Sequence, residues 1–211
     1  MNPYSNEEVW NVVEAFYRKF YSDSSQRTLI FGINPGRLGA GATGIPFTDT
    51  KHLFADCGIQ VPPFSTHEPS SVFIYEVIRS FGGVDHFYKH FLISSLSPLG
   101  FITDGKKGGS VNVNYYDDQE LLRSTEPFIR ENLLWHVGQK VNRKYAFCLG
   151  TGKNFKHFER LNNEMKLFDK IIPLEHPRYV MQYRFKFKDD YVRKYIETLL
   201  SENGNFDFFK N

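Results

Sequence analysis

The sequence predicts an α/β fold, a three-layer α/β/α sandwich around a mostly parallel, four-stranded central sheet. Two observations support this fold class. Short apolar runs, typical of strands buried on both faces, alternate with longer segments whose apolar residues recur at helical spacing. Because parallel strands need crossover connections, and these connections are right-handed, the intervening helices must cover both faces of the sheet.

The 211 residues are predicted to form one domain, with a core supplied by 41% hydrophobic residues. A first helix, over about 5–21, starts at Ser5-Asn6-Glu7-Glu8, which has the form of a capping box. The core is predicted over about 28–200, and a loosely held tail over 201–211. Apolar residues at helical spacing define the buried face of the first helix: Val9, Val13, Phe16 and Phe20.

Four apolar runs are predicted to form the strands of the sheet: 28–33, 90–95, 145–149 and 171–174. Helices are predicted between and after these strands: 71–80, ended by Gly82-Gly83; 118–137, with an interruption near Pro127; a helix from 153; and a last helix carrying Tyr191, Tyr195 and Leu199. The segment 102–114 is glycine-rich and basic, so we expect a mobile surface loop there.

Charge and cysteine content limit the partners and cofactors of the chain. The formal net charge is only +2, so any contact with a nucleic acid depends on local clusters of basic residues. The two cysteines cannot supply the four thiolates of an iron–sulfur cluster, and Cys148 lies in an apolar run that predicts a buried thiol. His86 and His90 lack a third ligand at suitable spacing, so no metal and no other cofactor is predicted.

The location is predicted from two missing signals. No apolar run approaches the ~20 residues of a membrane span, and the amino terminus lacks a signal-peptide pattern. We therefore expect a protein of the bacterial cytoplasm or nucleoid that has no contact with a membrane. Gly150-Thr151-Gly152-Lys153 lacks the full phosphate-loop pattern, so hydrolysis of nucleoside triphosphates is not predicted.

One segment, 28–49, has the form of a strand that ends in a binding site. The apolar run breaks into Asn34-Pro35-Gly36 and then into a glycine-rich loop, at the edge where open α/β sheets bind ligands. Asn34 carries an uncharged amide that both donates and accepts hydrogen bonds, and Gly36 permits close approach of the backbone. Phe47 follows Gly44-Ile45-Pro46 and offers an aromatic face on which a planar ligand can stack.

At these residues the chain resembles the uracil-DNA glycosylase superfamily, and within it the single-strand-selective monofunctional (SMUG-like) branch. The first motif of that branch reads G-M-N-P-G…T-G-V-P-F, and here Gly32 to Gly36 and Thr43 to Phe47 match it in residue type and spacing. A second family motif, a His-Pro after the last strand, resembles His176-Pro177. The resemblance covers roughly 28–200 and implies the superfamily's fold.

The resemblance implies a monofunctional DNA glycosylase that hydrolyses the N-glycosidic bond of uracil, or of a related deaminated base, in base excision repair. Asn34 would orient the attacking water, and His176 would hydrogen-bond a carbonyl oxygen of the flipped base. Phe47 would stack on that base, while Ile33 and Gly36 would line its pocket. No lysine in the motifs stands where a Schiff-base nucleophile is expected, so lyase chemistry is not predicted.

Base recognition is where the sequence departs from the family pattern. The family has a base-reading asparagine in an N-x-C-P-L context, whereas this chain has Ser95-Leu96-Ser97-Pro98-Leu99. Ser95 in that position would read a base less stringently than an amide, which leaves xanthine and hypoxanthine open as substrates. Asn112 or Asn114 is a possible replacement, and a purely local role for the Ser95 hydroxyl is an equal alternative.

The predicted partner is DNA, single- or double-stranded, bound by a monomer. The segment 178–184 mixes bulky side chains with arginines, which suits a loop that wedges DNA open; Arg178 would contact phosphates there. Lys153, at the start of a predicted helix, is a second candidate phosphate contact. The alternative function is a non-catalytic module on the same fold that recognises damaged or single-stranded DNA.

Overall fold

The structure, a computed structural model, describes residues 1–61, 64–105 and 108–202. A 3-10 turn, Pro3–Ser5, leads into helix α1, Glu7–Tyr21. The cap of α1 is Asn6 rather than Ser5, since the Asn6 side chain accepts hydrogen bonds from the Glu8 and Val9 amides. The predicted buried face of α1 is confirmed: Val9, Val13, Phe16 and Phe20 are all at most 6% exposed.

The remaining elements follow in an alternating order of strands and helices. In chain order they are β1 (Thr28–Gly32), α2 (Ala40–Thr43), α3 (Thr50–Ala55), α4 (Pro69–Ser80), α5 (Val84–His90), β2 (Phe91–Ser95), β3 (Phe101–Asp104), β4 (Ser110–Val113), α6 (Gln119–Val137), β5 (Tyr145–Leu149), α7 (Lys153–Met165), β6 (Lys170–Leu174), α8 (Pro177–Tyr183), a 3-10 turn (Phe185–Phe187) and α9 (Lys188–Glu202).

The central sheet confirms the predicted fold class. Its four strands are all parallel, in the order β2-β1-β5-β6, with helices on both faces. The register pairs Gly32 with Ser95, so β1 and β2 end side by side. Since all four strands run the same way, the loops that follow β1, β2 and β6 open at one edge of the sheet.

Side chains alternate between two apolar cores, one on each face of the sheet. Ile30 packs with α1, α4 and α9, whereas its neighbours Leu29 and Phe31 pack with α6 and α7. The predicted burial of Cys148 is confirmed, because its side chain lies in the second core and burial raises the pKa of its thiol to about 12. The strands between these two cores are therefore fixed on both faces, which positions the loops at their carboxyl ends.

The structure contradicts two local predictions. The segment 102–114, expected to be a mobile loop, contains the antiparallel hairpin β3–β4, because its glycines lie in the turn while its β-branched residues lie in the strands. The segment 178–184, expected to be a wedging loop, is largely helix α8, since Pro177 occupies the first helical position that proline favours.

Other local predictions have mixed outcomes. Helix α6 runs through Pro127 without the expected interruption, and the short helices α2, α3 and α5 were not predicted. His90, expected to begin the second strand, ends α5. Of the predicted tail, 201 and 202 belong to α9, whereas 203–211 lie outside the described residues. Among the helices that the structure describes, none is long and apolar enough to cross a membrane.

Candidate active site

A cavity of about 340 Å³ opens at the carboxyl edge of the sheet. It is bounded by the ends of β1, β2 and β6, by the hairpin and by α8. The structure brings together every predicted site residue there except Lys153: Ile33, Asn34, Gly36, Phe47, Ser95, His176 and Arg178 all line the cavity. Residues that are distant in the sequence therefore face one space, as the parallel topology predicts.

Asn34 is held at both ends of its side-chain amide. Its Nδ2 donates to the Val113 carbonyl at 3.2 Å, and its Oδ1 accepts from the Tyr115 backbone N–H at 3.1 Å. Because one neighbour is an acceptor and the other a donor, the orientation of the amide is determined. Nδ2 also lies 3.5 Å from the Pro35 carbonyl, so the second lone pair of Oδ1 is the group left for a water or substrate atom in the cavity.

His176 is the residue that caps α8, and this fixes its tautomer. Its Nδ1 accepts a hydrogen bond from the Arg178 backbone N–H at 3.1 Å, so the proton of the neutral ring is on Nε2. Burial, together with the nearby Arg178 guanidinium, lowers the pKa of His176 to about 4. At neutral pH the ring is therefore an uncharged donor on the wall of the cavity.

Phe47 is held in an uncommon backbone conformation beside His176. Its φ is +52°, in the left-handed region that costs a non-glycine residue roughly 1–2 kcal/mol. The turn is fixed by the Thr43 hydroxyl, which donates to the Thr48 carbonyl at 2.6 Å. The Phe47 and His176 rings have centroids 5.6 Å apart, and a Cβ on Gly32 would lie only 2.8 Å from the Phe47 ring. Gly32 thus makes room for the ring against β1.

The polar groups at the position predicted to read the base come from two parts of the chain. Ser95 is buried at the end of β2, and its carbonyl, rather than its hydroxyl, accepts a hydrogen bond from Asn132. Asn112 and Asn114 also line the cavity. The Asn112 Oδ1 accepts from the Arg37 backbone N–H at 3.0 Å, whereas the Asn114 Nδ2 donates to Asp117. Asn112 thus keeps its amide donors, and Asn114 its amide oxygen.

Glu68 is a cavity residue that the sequence did not single out. Its carboxylate lies against the glycine loop, since a Cβ on Gly39 would lie 1.9 Å from Glu68 Oε2. Burial raises the pKa of Glu68 to about 7, outweighing the hydrogen bond from Ser71 and the charge of Arg178. The Glu68 backbone N–H donates to the fully buried Asp49. Pro69 signals a helix start, but nothing in the sequence shows that the glutamate before it faces a pocket.

The two predicted phosphate contacts lie in different places. Arg178 is exposed on α8 at the mouth of the cavity. Lys153 is exposed at the first residue of α7, after β5, and does not line the cavity. Within the described ranges, no group of three or more His, Cys, Asp or Glu side chains is arranged to hold a metal ion.

The fold and the cavity together define a class of protein: an α/β/α sandwich with an asparagine, a neutral histidine and an aromatic ring at one sheet edge. The family model of the uracil DNA glycosylase superfamily matches residues 18–200, and the chain belongs to that superfamily. Membership of this superfamily implies a hydrolase of the DNA glycosylase type, which acts on the bond between a base and its sugar.

Among solved structures, the chain is similar to the crystal structure of wild-type Pedobacter heparinus SMUG2. The two are 47% identical with a TM-score of 0.94, over 97% of this chain and 88% of that chain. The predicted resemblance to the SMUG-like branch is thereby confirmed. A search of curated proteins found no match.

Proposed function

We propose that the chain is a monofunctional DNA glycosylase that removes uracil or a related deaminated base from DNA in base excision repair. The observation that carries this proposal is the neutral His176, whose tautomer is fixed with its proton on Nε2, beside Phe47 in the cavity that also holds Asn34. A flipped base that stacks on Phe47 would place a carbonyl oxygen at that donor.

The reaction breaks the bond between C1′ of the sugar and the nitrogen of the base, and water supplies the new C1′–O bond. Negative charge develops on the departing base, where the His176 N–H stabilises it. Asn34 positions the water but does not remove its proton, because an amide is not a base near neutral pH. The water loses that proton once the C1′–O bond has formed, and the proton balances the charge of the departed base anion, directly or through solvent. The barrier therefore falls mainly through a cation-like sugar in the transition state.

The preferred base depends on Ser95 and Asn112. The Ser95 hydroxyl, in place of the family's amide, is a weaker discriminator, and the free amide donors of Asn112 supply a second contact. Uracil, xanthine and hypoxanthine all carry a carbonyl next to a ring N–H, so these three bases form the substrate class that we propose.

The test is abasic-site formation in labelled oligonucleotides that contain each of these bases, single- and double-stranded, with alkali to cleave the product. Asn34→Ala is expected to abolish the product, while Asn163→Ala, an exposed asparagine on α7, serves as the matched control. Loss of product only in Asn34→Ala supports the glycosylase.

Ser95 also supports a second candidate, a non-catalytic module that binds damaged or single-stranded DNA, since the base-reading amide is missing at that position. Binding without product, unchanged in Asn34→Ala, would favour the module and contradict the glycosylase.

A further inference from the structure

A second cavity, of about 450 Å³, adjoins the candidate active site. Residues that line both cavities include Glu68, Asn112 and Arg178, so the two cavities are adjacent on the protein surface. The volume lies within the range of about 300–1,000 Å³ that is typical of sites for small ligands. We call this second cavity the side groove.

The floor and sides of the side groove are largely apolar. Leu38, from the glycine loop, and Val111, from β4, are 43% and 49% exposed. Met181, on α8, also lines the groove; it is half-buried against the first apolar core, and its flexible thioether suits packing against a planar ring. The side groove therefore presents apolar surface from three different elements.

The charges at the side groove suit a polyanion. Arg37 and Arg178 line it, and neither guanidinium forms an ion pair with a carboxylate in the described part of the chain. Glu68 is the one acidic side chain among the described lining residues. Its pKa, raised to about 7, leaves it protonated in a large fraction of molecules at neutral pH, so it opposes a phosphate only weakly.

We propose that the side groove binds the nucleobase next to the excised nucleotide on the same DNA strand, and that the phosphates of this strand lie between Arg37 and Arg178. This inference rests on the proposed function and extends it to the form of the substrate. A neighbouring base can enter the groove only if it leaves the stack and its pairing partner, which costs least in single-stranded DNA. The occupant is thus single-stranded DNA with two adjacent bases held by the protein.

The first experiment uses single-stranded oligonucleotides in which the nucleotide 5′ or 3′ to uracil is replaced by an abasic tetrahydrofuran spacer. Removing the base on one side is expected to lower kcat/KM about fivefold to tenfold, the low end for a stacked base because the walls are aliphatic. The other side is expected to show little change. In the double variant Leu38→Ala, Val111→Thr the sensitivity to the spacer should disappear.

Ile102→Thr is the matched control, because Ile102 is 46% exposed on the same hairpin but does not line the groove. It should retain the sensitivity. A wild-type protein that removes uracil equally well with either spacer, or a double variant that slows all substrates by the same factor, overturns the proposal while leaving the glycosylase intact.

A binding experiment tests the side groove independently of excision. A 2-aminopurine placed next to uracil should gain fluorescence when Asn34→Ala binds the strand, because the probe leaves its stacked neighbours. The gain should be absent when Leu38→Ala and Val111→Thr are added. If the probe gains no fluorescence at either flanking position, the proposed base site in the side groove is overturned. This outcome does not depend on excision, because the absence of any abasic product is the separate failure of the proposed function.

Discussion

His176 is predicted to have two separable roles, and substitutions can distinguish them. In His176→Ala both the Nε2–H donor and the Nδ1 acceptor are lost. By analogy with single oxyanion-hole donors, the lost donor should raise the barrier by about 3 kcal/mol. At 1.36 kcal/mol per factor of ten, excision should slow by about two orders of magnitude. The lost cap of α8 should cost about 1 kcal/mol of folding stability, or about 2–4 °C in Tm for a chain of this size.

His176→Asn keeps the cap, because asparagine is a favoured capping residue, but its amide does not extend as far as Nε2. It should therefore lose excision as severely as His176→Ala while keeping the wild-type Tm. Single-turnover rates on a uracil oligonucleotide and thermal melts provide the two readouts. Full excision by His176→Asn, or a rate loss in His176→Ala that merely tracks its lowered Tm, would refute the assignment of the donor.

The pH dependence of stability follows from the burial of the same imidazole ring, to which the charge of Arg178 adds. The folded pKa of His176, about 4, is below the ordinary value near 6.5, so the unfolded chain binds this proton more readily. The stabilisation from the unprotonated ring is complete above pH 6.5 and is lost as the pH falls towards 4. The fall in Tm over that window should be smaller in His176→Ala than in the wild type.

Two further predictions concern Phe47 and Glu68. Phe47→Ala should slow excision, because the lost stacking contact with the base raises the barrier by about 1–3 kcal/mol. Single-turnover assays measure the rate, and Phe54→Ala, at an exposed phenylalanine, is the control. An unaltered rate in Phe47→Ala would remove Phe47 from the site. The affinity of the wild type for DNA, measured by anisotropy, should fall as the pH rises through about 7, where Glu68 ionises beside the bound strand. Glu68→Gln should flatten that profile and exposed Glu131→Gln should not; a slope that persists in Glu68→Gln argues against its role.

The sequence was sufficient to predict the parts of the site that depend on strand ends. The strand 145–149 was predicted with the bounds that β5 has, and Asn34, Ser95 and His176 meet because parallel strands end at one edge. Apolar runs report burial directly, and the topology follows from the way in which parallel strands must be connected. These inferences need no knowledge of side-chain contacts.

The sequence was insufficient where contacts between distant segments determine the structure. Asn34 is bonded to Val113 and Tyr115, which are 79 and 81 residues away, and no local pattern encodes that pairing. The glycines in 102–114 predict a loop, but β3 and β4 form because they pair with each other, and the propensities of the single residues do not show this pairing. Nothing in the sequence around Glu68 indicates that its carboxylate lies against Gly39.

The hairpin explains how a site with a missing amide can keep a defined shape. Segment 34–37 and segment 112–115 are joined by three hydrogen bonds: Asn34 to Val113, Tyr115 to Asn34, and Arg37 to Asn112. The strand end of β1 therefore provides the Asn34 amide, which we propose positions the water, and the hairpin fixes the orientation of that amide. Since Asn112 belongs to the same connection, the two residues that we propose for base contact and for water positioning are joined through the hairpin. A change in the hairpin backbone should therefore alter base preference and rate together, whereas a change at Ser95 should alter base preference alone.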